Sequence, residues 1–117
     1  MAVKRKILII GVDRIISMDI QQTLKSLGYN LEIAQGKAEG IEKIRQNTYD
    51  LIIINDLPQD DGESFYKGVS ALSAYLTEKI LFISANITDF IKSTGNPFLS
   101  KPFSDEQLIE IVKKSIK

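Results

Sequence analysis

Five times along this chain a short strand-like run gives way to a stretch with helical spacing, and that alternation constrains the fold more than any other feature. "KILIIG", residues 6 to 11, is a continuous apolar run closed by glycine, as expected of a strand buried on both faces. "LIII", residues 51 to 54, is the most fully apolar run, and "KILFISA" from Lys79 repeats the pattern. "YNLEIAQ" alternates like a half-buried strand, and "PFLS" is a short fifth. Between them Ile16, Ile20, Leu24 and Leu27 lie on one helical face, with Asp13 placed to cap the start and Gly28 placed to end it. Ala38, Ile41 and Ile44 form a second stripe weakened by Gly40, and Phe65, Val69, Leu72 and Leu76 form a third. "NITDFIKST" offers only a short helix, whereas Ser104 and Gln107 stand in capping-box spacing before Leu108, Ile111 and Val112. Strands alternating with helices in this way imply a parallel sheet covered on both faces.

The totals limit what such a sheet can do. A chain of 117 residues suits one domain, residues 1–117, with a single hydrophobic core. Fifteen basic and fifteen acidic residues cancel, so no net field draws the chain to nucleic acid or an anionic membrane. Cysteine and histidine are both absent, which removes thiol nucleophiles, disulfides, common zinc sites and histidine bases together. Any metal would be a hard, oxygen-liganded ion. No apolar run approaches the roughly 18 to 20 residues of a membrane span, and "MAVKRKILII" lacks a leader cleavage pattern. A cytoplasmic location without membrane insertion is expected.

Ligands of open parallel sheets bind at the carboxyl ends of the strands. Those ends are Gly11 to Asp13, Asn55 to Asp61, Ser84 to Asn86, and Ser100 to Phe103. A nucleotide- or flavin-binding loop would place glycine, serine or threonine amides after the first strand, but "GVDR" offers a carboxylate instead. Asp60 and Asp61 beside Gly62 lack the alternating oxygens of a calcium loop and read as solvated charges near a helix start.

Six phrases in register carry a resemblance: "ILII" in the first strand, "LGY" after the first helix, "DLIII", "DG" opening the third helix, "ISA" ending the fourth strand, and "FLSKPF" at the fifth. Across essentially the whole length they resemble the receiver domain of two-component response regulators. The resemblance implies a flavodoxin-like, doubly wound α/β fold: a five-stranded parallel sheet in the order 2-1-3-4-5 with five helices, the fourth short because the segment from Ser84 to Lys101 is short. It also implies a cis peptide between Lys101 and Pro102.

In that family a histidine kinase transfers a phosphoryl group to an aspartate ending the third strand. An acid pair after the first strand holds Mg²⁺, a Ser or Thr and a lysine grip the phosphoryl oxygens, and an aromatic on the fifth strand reports the change. Matching motif to motif puts Gly11 and Val12 at the acid pair, with Asp13 just beyond it. Asn55 falls on the acceptor, Ser84 and Lys101 on the grip, and Phe98 on the aromatic switch, where core packing is the plainer reading. A neutral amide is not a usable nucleophile, and Gly and Val supply no Mg²⁺ ligand. Asp56 is the alternative acceptor, although strand alternation predicts that it turns away from the site formed with Ser84 and Lys101. Lys101 is expected to pair with Asp13 or Asp56, or with the Asn55 amide oxygen.

The expectation is therefore a degenerate receiver: no enzyme, with no resident cofactor and weak or absent Mg²⁺ binding, acting by protein–protein interaction within a phosphorelay. Its partner would be a histidine kinase or another signalling protein. "TGNPFLSKPF" resembles receivers joined to hybrid sensor kinases, whose dimerisation and catalytic domains would then be the natural partners.

Overall fold

A computed structural model describes residues 4–58 and 61–116. The apolar runs form the middle of the sheet: β1 (Lys6–Ile10), β3 (Leu51–Asn55) and β4 (Ile80–Ser84), flanked by β2 (Asn30–Ala34) and β5 (Phe98–Ser100). The order is β2-β1-β3-β4-β5 and every pairing is parallel, as the resemblance implied. The helices are α1 (Arg14–Lys25), α2 (Lys37–Gln46), α3 (Asp61–Leu72), α4 (Ala74–Thr77), α5 (Asp89–Thr94) and α6 (Asp105–Ser115).

Where the chain length suggested a single core, each face of the sheet carries its own, because the sheet separates the two helical layers. Ile7, Ile9, Leu51, Ile53, Leu81 and Ile83 pack against Ile20 and Leu24 of α1 and Leu108 and Val112 of α6. Leu8, Ile10, Ile52, Ile54, Ile80 and Phe82 pack against Ile44 of α2, Phe65 and Val69 of α3 and Ile91 of α5. Both faces of the central strands are thus removed from water, which is why these strands read as unbroken apolar runs.

The caps follow the sequence. Asp13 accepts hydrogen bonds from the amides of Ile15 and Ile16 at 3.1 and 3.2 Å, and Gly28 adopts a φ of 91° past the end of α1. Ser104 and Gln107 complete a reciprocal capping box. The Lys101–Pro102 peptide is cis.

Two local features differ from the sequence reading. Six helices replace five, because Ser73 takes an extended conformation and breaks the third stripe: Leu72 is left exposed while Leu76 packs from α4. Gly40 lowers helix propensity, yet a Cβ there would come within 2.9 Å of Ile10 Cδ1 and 3.0 Å of Phe65 Cε1. The missing side chain is what lets α2 lie this close to β1 and α3. The short helix expected after β4 is α5, of six residues.

Candidate site at the carboxyl ends of the strands

The register decides which side chains meet. Ile54 pairs with Phe82, so Asp56 and Ser84, each two residues farther on, share one face of the sheet. Asn55 follows Ile53 onto the opposite face, toward α1. The expectation that alternation turns Asp56 away is therefore corrected: alternation separates Asp56 from Asn55 but delivers it to Ser84.

Asp56 completes the approach with its backbone. Its amide donates to the Ile83 carbonyl at 3.0 Å, extending the β3–β4 ladder by one residue. Its φ of 40° is the sole positive value among the described non-glycine residues, and aspartate is among the side chains that tolerate this region best. The Ser84 hydroxyl donates to Asp56 Oδ1 at 2.5 Å, and the Ala85 amide lies 3.3 Å from Oδ1 and 3.1 Å from Oδ2. Lys101 Nζ stands 3.0 Å from Oδ2, its side chain only 16% exposed. Burial pushes the Asp56 carboxyl up, but Ser84, Lys101 and the Ala85 amide together hold it below its ordinary 3.8. Of the partners considered for Lys101, the structure selects Asp56.

Ser84 also accepts from the Asn86 amide at 3.1 Å, so it tidies the strand end while binding Asp56. Beside this cluster lies a cavity of about 160 Å³, whose lining includes Asp56, Ser84, Asn86, Leu57, Phe82 and Phe90.

Asn55 has a different environment. It is 1% exposed; its Nδ2 donates to Ser17 Oγ at 3.3 Å, and its Oδ1 is buried with no hydrogen-bond partner. A Cβ on Gly11 would lie 2.7 Å from the Asn55 carbonyl oxygen and 3.1 Å from both Asn55 Nδ2 and Ser17 Oγ. The backbone thus fills the space that a side chain at position 11 would need. Val12 is exposed, and the Asp13 carboxylate is committed to its helix cap. This part of the site does not fit the Mg²⁺ that the family would place here: the side chains at the two acid-pair positions supply no oxygen ligand, and Gly11 cannot carry any side chain without a backbone shift.

Phe98 is 41% exposed, which corrects the core reading. It sits on β5, the sheet's edge strand. Asp60 of the rejected calcium-loop reading lies outside the described residues; Asp61 opens α3, 4.0 Å from Lys37 Nζ.

Two participants escaped the sequence reading. Ser17 is a polar residue on the buried stripe of α1, which was a readable signal. The Ala85 amide is backbone, and no side-chain pattern announces it.

A family model for the response regulator receiver domain matches residues 7–113. Transcriptional regulatory protein DltR of Streptococcus agalactiae is 27% identical over an alignment 114 positions long that covers 92% of this chain and 50% of DltR. Sensor histidine kinase CheAY of Helicobacter pylori is 27% identical over an alignment 106 positions long that covers 84% of this chain and 13% of CheAY. The chain spans about half the length of DltR and a small part of CheAY. Among solved structures, chemotaxis protein CheY4 of Vibrio cholerae superposes with a TM-score of 0.86 at 26% identity, covering 97% of this chain and 100% of CheY4. With the matched model spanning both sheet and site, the chain belongs to the response regulator receiver domain family of two-component signalling.

Proposed function

We propose that this receiver is not phosphorylated in the usual way and signals through protein–protein interaction. The observation that carries the reading is the fate of the acceptor position. Asn55 is an amide, buried against Ser17 and Gly11, and its neighbour Asp56 occupies the residues that would hold a phosphoryl group. Phosphoryl transfer rests almost wholly on positioning and neutralisation of charge. With Gly11 and Val12 at the acid pair, the chain lacks the oxygens that would bring in the neutralising cation.

The partner in this reading is a histidine kinase or another signalling protein. Similarity to part of CheAY supports attachment to a kinase, and similarity to half of DltR supports attachment to an output domain. Exposed Val12, Ile15 and Met18 beside the site offer apolar contact area.

A second reading has one observation in its favour: Asp56 does point into the Ser84–Lys101 cluster, where a carboxylate acceptor could react. Incubation with acetyl phosphate and Mg²⁺, followed by intact-mass measurement, separates the two. An unchanged mass is expected; a phosphorylated species that disappears in an Asp56→Asn variant establishes the second reading.

A further inference from the structure

We propose that α1 carries a self-association face, through which two copies of this chain pair in parallel, α1 against α1, about a two-fold axis. The proposal rests on the preceding reading, that the receiver acts by protein contact, and names a second copy as a partner.

The helix has two faces. Its buried residues Ser17, Ile20 and Leu24 lie within an arc of roughly 60° at the ordinary helical pitch. Ile15, Met18 and Gln22 span an equal arc on the opposite side, where Ile15 is 75% and Met18 49% exposed. This outer stripe ends at Lys25, repeating at spacings of three, four and three residues, the a and d seam of a coiled coil. Arg14 and Asp19 stand about 70° to either side of it, and both are exposed. Among the described residues, neither forms an ion pair within the chain.

Charge decides both the occupant and its direction. In a parallel pair each g position faces an e position five residues on in the other helix. With Ile15 at a, Arg14 is g and Asp19 is e, so Arg14 of each copy meets Asp19 of the other, twice about the axis. An antiparallel pair would match each flank with itself, and the flank of Arg14 and Gln21 holds no acid. A helix from another protein would need this spacing by coincidence; a second copy has it by symmetry. Lys25 falls at d, where two ammonium groups would face each other, so the helices meet over their first two turns and diverge beyond Gln22. Contact of that length is smaller than a standard interface, which places the dissociation constant between about 1 µM and 1 mM. Parallel pairing also brings Gly11 and Val12 of both copies to the same end, where two acid pairs would add like charge.

The test is sedimentation equilibrium of the chain over a concentration series reaching about 1 mM. The average mass is expected to rise from that of one chain toward that of two. Arg14→Asp and Asp19→Arg should each weaken pairing by about tenfold or more. The two variants mixed, and the double variant carrying both exchanges, should pair again. Ile15→Ser should weaken pairing by about tenfold and Lys25→Leu should tighten it by about as much. All four side chains are exposed, and recovery in the double variant shows that the single exchanges leave the fold intact. A chain that stays monomeric throughout overturns the proposal, also where the same face then binds a kinase helix. Pairing that Ile15→Ser and the charge exchanges leave unchanged overturns it too, because the interface then lies elsewhere, and so does a double variant that fails to recover. The preceding reading is judged separately, by the mass after acetyl phosphate.

Discussion

Asp56 and Lys101 meet carboxylate to ammonium at 3.0 Å, although one follows a central strand with an unusual backbone angle and the other follows the sheet's edge strand. Their contact ties the β3–α3 connection to the β5–α6 connection, with Ser84 between them. Lys101→Met leaves the carboxylate with only Ser84 and Ala85 as donors. The expected loss, about 1–3 kcal/mol of stability, is measurable by urea denaturation, and the Asp56 resonance should titrate at higher pH than in the parent.

The pH dependence of stability follows from the same pair. The folded pKa of Asp56 lies below its ordinary 3.8, so its stabilisation is fully present above that value and is lost as pH falls through the folded pKa. Glu32 behaves alike, lowered from 4.5 chiefly by the hydrogen bond from Tyr49. Denaturation midpoints should be level with respect to these two groups above about pH 5 and decline below it. In Asp56→Asn the decline should be shallower but not absent, because Glu32 remains. A decline as steep as the parent's would mean that Asp56 is not held in its ionised form.

Gly11→Ala tests how tightly the former acid-pair position is closed. The added methyl meets the Asn55 carbonyl at 2.7 Å, backbone that cannot rotate aside, and overpacking of this kind typically costs about 1–3 kcal/mol. Gly11→Asp should be destabilised at least as much and gain no Mg²⁺ binding by calorimetry.

Asn55→Leu addresses the buried amide. The substitution removes an oxygen that has no partner and one hydrogen bond to Ser17, so lost bonding and relieved desolvation oppose each other. Stability should change by less than about 1 kcal/mol in either direction. A large loss would show that Asn55 holds the site together.

The sheet was legible in the sequence because burial on both faces leaves an unmistakable trace, as in "LIII" and "KILFISA". The caps at Asp13 and Ser104 were legible because a single side chain satisfies a helix end. The break at Ser73 was not, since Leu72 and Leu76 preserve helical spacing across it and only the chain's path shows that they belong to different helices. The site was half legible: Gly11, Val12 and Asn55 announced what was missing. The inward turn of Asp56 depended on the Ile54–Phe82 register and a positive φ, both products of tertiary structure and not of local preference.

The central claim is that Asp56 is not a phosphoryl acceptor. It is tested most directly by titrating the isotopically labelled chain with beryllofluoride and Mg²⁺ while following the backbone amides of Asp56, Ser84, Ala85 and Lys101. The expected result is no saturable change at these positions. A saturable, Mg²⁺-dependent shift centred on Asp56 would contradict it.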